Sequence, residues 1–541
     1  MWARDFRSQL KAHLQHEWDL VVIGGGITGA GILLEAARRG LRVLLMEQRD
    51  FAWGTSSRSS KLVHGGLRYL KEGKFGLTRE SVQEREALLH DAWGLVTPQS
   101  FAFADYQGRK PGRWLFALGL AIYDLIAGRR GRHYFSKDEF NALAPHIGQE
   151  GLQGGMCYAD AKTDDARLVL RVLQEADEYG GVAVNYLAAR ELTRNAEGVV
   201  DGVKAQCHLS GAVFEMKAKL VINATGAWAD RLRPQSGQRV AQRIRPLRGS
   251  HLLFPAWRLP LAQAVSLMHP RDGRPVFAYP WEGVTLVGTT DVDHSADLQQ
   301  EAVITQAEVE YLMEALHFQF PHLGLQAQHA LSSYAGVRPV VDTGAADPSK
   351  EGRDHVLWLE QGLLTVTGGK LTTFRTIALD TLRHAAPLLK RDLDLRPGPI
   401  FAPGPGLPPY FPLTAFQRER LEGRYGRFAA ALLSSAHAED WQTVGASDYL
   451  WAELRWMLRN EAVFKLEDLM LRRSRLGILL AQGARAELPR ILLLCKQELN
   501  WSEERCQMEA SAWLDLWQRN YSLPQAPADA EWQAAILANA A

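Results

Sequence analysis

The run Val21-Val22-Ile23-Gly24-Gly25-Gly26-Ile27-Thr28-Gly29-Ala30-Gly31 constrains this chain more than any other stretch. An apolar strand enters Gly-x-Gly-x-x-Gly, and the pattern predicts a helix over Ile32 to Arg39 and a second strand over Arg42 to Met46. Glu47 follows, where an acidic side chain accepts hydrogen bonds from a ribose. Gly24 permits the tight turn, Gly26 lets backbone approach a pyrophosphate, and Gly29 lets the helix pack on the strand. The helix N-terminus then faces the anion. Strand, turn, helix and Glu47 together point to dinucleotide binding; a glycine turn in some other α/β unit is the alternative.

A chain of 541 residues is long enough for two to four domains, each with its own core. Lys+Arg 62 against Asp+Glu 61 leaves no charge excess, which argues against general nucleic-acid binding. Cys157, Cys207, Cys495 and Cys506 form no CxxC pair and no zinc or iron–sulfur spacing, so a reducing compartment is expected. Met1 to Trp18 is charged and lacks an apolar core, unlike a secretory signal, and with Asp5 and Glu17 it is a poor transit peptide. No stretch has the apolar length of a transmembrane helix.

One segment comes near. Residues 114–127 are strongly apolar, with Arg109, Lys110 and Arg113 before them and Arg129, Arg130 and Arg132 after. They are too short to span, and Asp124 interrupts them. A helix lying among lipid headgroups and a buried core helix with basic ends both fit this pattern. Pro and Gly fill 10 of the 17 positions from Arg396 to Pro412, a linker rather than a regular element. Residues 413–541 read as helical, with apolar helical spacing over Glu453–Glu461 and Leu469–Leu480. No internal repeat or low-complexity tract occurs.

Three further segments bear on which dinucleotide is bound. Leu220 to Asn223 is an apolar strand ending in Ala224-Thr225-Gly226. Leu363 to Thr367 runs into Gly368-Gly369-Lys370-Leu371-Thr372, and a helix is expected over Phe374 to Leu389. A second helix N-terminus so far along the chain suits the remote end of a long cofactor, the N1/C2 edge of a flavin, where charge accumulates on reduction; an unrelated strand–turn–helix is the alternative. The third segment, Thr55-Ser56-Ser57-Arg58-Ser59-Ser60-Lys61-Leu62-Val63-His64-Gly65-Gly66-Leu67-Arg68-Tyr69, mixes hydroxyls and glycines that suit a loop around a cofactor with cations that suit an anionic ligand. A solvated basic turn explains the cations but not the Gly-Gly pair.

These motifs resemble the FAD-dependent glycerol-3-phosphate dehydrogenases, the membrane-associated aerobic enzymes within the amino-acid-oxidase-like flavoproteins. The resemblance is carried by VVIGGGITGAGI, TSSRSSKLVHGGLRYL, YADAKTDDARLVL, NATGAWAD, GSHLLFP, AYPWEGVTLVGTTDVD, SYAGVRPV and TGGKLTTFR. It is close over residues 19–385 and looser in helical ELRWMLRNEAV and MLRRSRLGIL. HGGLRYL, GVRPV and GGKLTT are specific within the group; NATG and GxGxxG are not.

The resemblance implies an α/β fold: a Rossmann-like FAD-binding domain with an inserted mixed-sheet substrate domain, and a C-terminal helical domain. The expected division is 1–395 with inserted segments at about 70–150 and 245–335, a linker at 396–412, and 413–541. It implies FAD held by Gly24, Gly26, Gly29, Glu47, Thr55, Ser56, Ser57, Ser60, Lys61, Ala224, Thr225, Gly226, Gly368, Gly369, Lys370, Leu371 and Thr372. The implied reaction oxidises sn-glycerol 3-phosphate at C2 to dihydroxyacetone phosphate, with hydride going to flavin N5 and electrons onward to membrane quinone.

A phosphate dianion needs fixed cations, and a planar Arg fork binds it bidentately. Arg68, Arg338 and Lys370 match the family's anion-binding positions, and Tyr69 offers a hydroxyl. Arg338 and Lys370 also count as catalytic candidates. His251, placed first, and His64 lie in matching motifs and can take the hydroxyl proton near neutral pH, unless they are structural hydrogen-bonders. The implied setting is the cytoplasmic face of the cell membrane, on anionic lipid, with a homodimer left open as the assembly. The C-terminal region departs most from the family. No D-x-D-x-D-G loop occurs, so calcium control is not expected. The near rival is a glycerol-3-phosphate oxidase using oxygen; a non-catalytic or nucleic-acid-modifying flavoprotein is the rival of another class.

Overall fold

The computed structural model describes residues 2, 6–71, 73–108, 112–128, 131–237, 243–344, 351–352 and 354–524; the side chains of Arg68 and Lys71 lie outside that description. In chain order, the elements that place the site are β1 (Trp18–Ile23), α1 (Ile27–Arg38), β2 (Val43–Met46), α2 (Arg113–Ala127), α3 (Asp165–Asp177) and β3 (Val182–Val184). They are followed by β4 (Val213–Asn223), β5 (Ile244–Pro255), β6 (Ser332–Val341), β7 (His355–Glu360), β8 (Leu363–Gly368), α4 (Phe374–Leu389) and α5 (Trp451–Asn460).

Two sheets carry the fold. The first runs β7-β8-β4-β1-β2-β3, parallel from β8 to β3, with β7 antiparallel at its edge and the strand Val200–Cys207 paired antiparallel to the start of β4. Every residue of β1 and β2 is buried, as a parallel strand covered on both faces requires, and this explains why both read as continuous apolar runs. The helix after β1 begins at Ile27, earlier than the apolar spacing suggests, because Gly26 serves as its N-cap and the Ile27 N–H donates to Ser56 Oγ at 3.0 Å. Two glycines permit the packing of α1. A Cβ on Gly29 would stand 1.9 Å from the Gly24 carbonyl oxygen, and one on Gly31 would stand 2.8 Å from the Phe374 ring at the start of α4.

The second sheet has ten strands among the described residues. In it β5 pairs antiparallel with β6, setting His251 opposite Tyr334 and Leu247 opposite Arg338. The segment 396–412 has no helix or strand, yet it is fastened down: Ile400 and Phe401 are buried, and Arg38 donates to the Ile400 carbonyl at 2.7 Å.

Helices follow from Ala415, among them α5. Leu469–Leu480 departs from its apolar period. It is a π-helical turn over Leu469–Arg473, a break, and a short helix over Leu476–Leu479. The wide turn brings Arg472 and Arg473 to one buried carboxylate, that of Asp50. Pairing of buried charge overrides the helical period there.

Residues 114–127 do form a helix, α2, closed by Gly128 in the left-handed region. Its faces differ sharply. Trp114 is 77% exposed, Leu118 57% and Leu125 81%, whereas Leu120 and Tyr123 are buried and Phe116 stacks on Phe103. Arg132 pairs with Asp124 at 3.0 Å; Arg109, Lys110, Arg129 and Arg130 lie outside the described residues. Among the described residues no helix is long and apolar enough to cross a membrane.

Candidate active site

A groove of about 400 Å³ crosses the carboxyl ends of the parallel strands, the place where open α/β sheets take ligands. It is walled by Gly368, Gly369, Lys370 and Leu371 after β8, by Ala224, Thr225 and Gly226 after β4, by Gly24, Gly26, Ile27 and Thr28 after β1, and by Met46, Glu47 and Gln48 at β2. Thr55, Ser56 and Ser59 form part of its rim, as does Pro339 of β6.

Local chemistry shapes each wall. Gly24 has φ +119°, and a Cβ there would lie 2.5 Å from the Ala224 carbonyl oxygen, so only glycine fits the first turn. Asn223 is fully buried; its side chain accepts from Thr225 Oγ1 at 2.7 Å and donates to the Ala229 carbonyl at 3.1 Å, fixing the Ala-Thr-Gly turn. Glu47 is held by two backbone N–H groups, Gly25 and Arg49, each at 2.8 Å. Burial pushes its carboxyl pKa up, and those two donors oppose the shift.

At the other end, Lys370 places its ammonium 4.1 Å from the Tyr69 ring centroid and donates to Ser81 Oγ at 2.5 Å. That is a fixed cation on the groove wall, anchored from two directions.

The remaining candidates lie elsewhere. Lys61 is not a groove cation: it is fully buried, donating to Asp165 Oδ1 at 2.9 Å and the Ser57 carbonyl at 3.0 Å. Burial and the neighbouring Arg475 bring its pKa down to about 8. Ser57 and Ser60 stand behind the rim, and Ser60 Oγ bonds His251 Nε2 at 2.9 Å. Thr372 Oγ1 donates to the His64 carbonyl at 3.4 Å. Gly29 acts through packing, as described.

His251 is 1% exposed and stacked on Tyr334 with ring centroids 4.6 Å apart; among the described residues its Nδ1 has no hydrogen-bond partner. Burial, with Arg338 and Lys61 nearby, holds its pKa well below the usual histidine range, so the ring is neutral at neutral pH. It is set back behind Ser60 and is not part of the groove wall. His64 is half-buried and also off the wall.

Arg338 lies across β5, where a Cβ on Gly249 would come within 2.3 Å of its Nη2. It donates to Thr289 Oγ1 at 3.0 Å and pairs with Asp291 at 3.1 Å. Its neighbour Pro339 lines the groove. Of the three expected phosphate-binding cations, Lys370 stands on this groove and Arg338, next to Pro339 in sequence, pairs with Asp291, while the Arg68 side chain lies outside the described residues.

The groove also has walls that sequence patterns do not reveal. Ala189 and Arg190 come from the strand Leu187–Arg194, Trp228, Arg231 and Gln235 from the short helical turns over 226–236, and Trp53 and Gln299 from loops elsewhere in the chain. Trp228 was visible only as part of the NATGAW run. Trp53 and Trp228 lie with ring centroids 5.8 Å apart, pinned by Glu301 and the Leu298 carbonyl.

These walls fit a long, two-ended dinucleotide such as FAD. The α1 N-terminus opens at a glycine turn in the middle, a carboxylate stands at one end, and a cation with a second glycine turn stands at the other. Among the described residues no cluster of His, Cys, Asp and Glu is arranged to hold a metal.

Comparison with known proteins agrees with this geometry. Residues 19–375 match the family model of the FAD dependent oxidoreductases, and 407–506 match that of the C-terminal domain of alpha-glycerophosphate oxidase. The aerobic glycerol-3-phosphate dehydrogenase of Staphylococcus aureus (strain USA300) is 34% identical over 494 residues, covering 86% of this chain and 88% of the relative. That of Staphylococcus haemolyticus (strain JCSC1435) is 35% identical over the same shares. The crystal structure of the glycerol-3-phosphate dehydrogenase from Bacillus halodurans complexed with FAD superposes with TM-score 0.76 at 28% identity, covering 95% of this chain and 98% of that one. Sheets, groove and sequence agree, and the chain belongs to the FAD dependent oxidoreductases and, within them, to the aerobic glycerol-3-phosphate dehydrogenase family.

Proposed function

We propose that the chain oxidises sn-glycerol 3-phosphate at C2 to dihydroxyacetone phosphate and passes the electrons to a membrane quinone. The observation that carries this reading is the Lys370 ammonium, held on the groove wall beside Gly368-Gly369 by Tyr69 and Ser81. FAD would supply the hydride acceptor. Gly24, Gly26 and the α1 N-terminus would hold its pyrophosphate, Glu47 its adenosine end, and Gly368 to Leu371 its ring end.

Lys370 binds and orients the substrate's anionic end; Tyr69, only 5% exposed, forms the floor beneath the ammonium. Loss of the C2 hydride requires loss of the hydroxyl proton as well. Behind the rim, Ser60 Oγ meets His251 Nε2 at 2.9 Å, so the neutral imidazole is the base that would accept that proton by way of Ser60. Addition of sn-glycerol 3-phosphate to the purified protein without oxygen should bleach the flavin absorption within the dead time of mixing or shortly after. A spectrum left unchanged by it would end this reading.

The exposed face of α2 favours quinone over oxygen as acceptor. Trp114, Leu115, Leu118 and Leu125 form an apolar surface too short to span and suited to lying among headgroups. Phe116 is no part of it, since it stacks on Phe103. Leu115→Asp, Leu118→Asp and Leu125→Asp together should release the protein from anionic vesicles while leaving its activity with a soluble dye within about twofold, because these side chains bury little in the fold. Vesicle binding unchanged by the triple substitution, or rapid hydrogen peroxide formation matching dye reduction, would favour the oxidase instead.

A further inference from the structure

We propose that the C-terminal helical region is part of the cofactor site: Arg472, Arg473 and Arg475 act as positioning residues that clamp the two loops bordering the FAD groove. The first loop leaves β2 at Glu47 and returns to the groove at Trp53 and Gly54. Its midpoint, Asp50, is fully buried. It takes Arg472 Nε at 2.6 Å on one oxygen, and Arg473 with Nη1 at 2.6 Å and Nη2 at 2.7 Å across both. The second loop carries Thr55, Ser56 and Ser59 on the groove wall. Arg475 Nη1 donates to its Ser57 carbonyl at 3.2 Å, and the same guanidinium meets Asp164 at 2.9 Å and Asp165. Asp165 in turn accepts from the Ser59 N–H at 3.0 Å and Ser59 Oγ at 2.7 Å.

Both loops are thus tied to one short segment more than 400 residues away in the chain, as the separations of 423 for Arg473–Asp50 and 418 for Arg475–Ser57 show. The arginines and their carboxylates are essentially water-free. A buried ion pair of this kind is weak evidence for stability, because desolvation offsets most of the Coulomb attraction, but it fixes geometry closely. Fork-like bidentate contacts fix it better than a single ammonium does. What they fix here is the position of groove walls, including the Ser56 hydroxyl that meets the first N–H of α1.

The test is the rate of FAD release from the holoprotein, followed by recovery of flavin fluorescence after dilution, alongside melting temperature and the visible circular dichroism of bound flavin. Arg475→Lys and Arg473→Lys keep the charge but lose the fork. Each should speed FAD release at least tenfold and alter the flavin dichroism. Arg420→Lys is the control: Arg420 is also buried, and it bonds Glu453 at 2.8 Å and faces Glu282 at 3.8 Å rather than either loop. It should lower the melting temperature without speeding release. Release within twofold of the parent in a folded Arg475→Lys or Arg473→Lys protein would overturn the clamp, as would equal release from Arg420→Lys. If neither arginine variant folds, Asp50→Asn, which keeps the shape of the acceptor, must show the faster release for the proposal to stand. No substrate enters these measurements, so their failure leaves the reading of the reaction untouched.

Discussion

Gly26→Val should yield a folded but colourless protein. Gly26 has φ −83° and ψ −175°, extended backbone that valine adopts without strain. The nearest atom to an added Cβ is the Ser56 hydroxyl oxygen at 3.1 Å, a side chain that can give way. The fold therefore does not need glycine here; the groove does. An isopropyl group at the N-cap of α1 fills the space where a pyrophosphate must approach the helix N-terminus. Loss of that contact should weaken FAD binding by about 3 kcal/mol or more, roughly two orders of magnitude. The measurements are the flavin-to-protein absorbance ratio after purification and the melting temperature of the FAD-free protein. Gly29→Ala supplies the contrast. Its methyl would meet the Gly24 carbonyl oxygen at 1.9 Å, so it should lower stability itself, by about 1–3 kcal/mol for an overpacked contact. A yellow, fully loaded Gly26→Val protein would refute the placement of the pyrophosphate.

Lys370→Ala should retain FAD and lose most of its activity toward sn-glycerol 3-phosphate. Removing one partner of a charge-assisted contact costs on the order of 2–5 kcal/mol, which corresponds to a fall in kcat/KM of about 30-fold to several thousand-fold. Deletion should disturb the fold little: its side chain is half-buried, and Tyr69 beneath it is packed independently against Gly66. The discriminating measurement pairs this substrate with glycerol, which has the same alcohol and no phosphate. If Lys370 binds the phosphate, the preference for the phosphorylated alcohol should collapse while the slow rate with glycerol changes little. An equal fall for both would place the role of Lys370 on the flavin and remove the anion argument.

Much of the cofactor side of the groove was legible in the sequence. β1, the glycine turn and α1 follow one another within about 20 residues, so apolar period and glycine spacing encode them directly. The same holds for β8, Gly368-Gly369 and α4. The extent of α2 was equally plain, but its burial was not. Spacing alone left lipid-facing and core readings level, and only packing shows Phe116 turned inward and Trp114, Leu118 and Leu125 outward.

The cations were the least legible feature. In sequence, Arg68, Arg338 and Lys370 look alike, each close to glycines or a proline, and Lys61 shares the basic, hydroxyl-rich run before Gly65-Gly66. In the fold, Lys61 is sealed against Asp165 and Arg338 is paired with Asp291, while Lys370 stands on the groove. Their partners are distant in the chain and leave no local signal. Leu469–Leu480 carries the period of one helix, yet three arginines that a local reading would set on its solvent face are buried against Asp50, Asp164 and Asp165.

The sequence by itself determined the order of strands and helices around the glycine turns, the family, and the chemistry of a flavin-dependent oxidoreductase. These rest on contacts between near neighbours, where backbone geometry allows few choices. The tertiary structure decided which cations face the groove, which histidine is buried, and that Arg472, Arg473 and Arg475 of the last helical region bond to the loops bordering the groove. Those outcomes depend on where a charge finds its counter-charge once water is excluded, and that distance is set by the fold rather than by position along the chain.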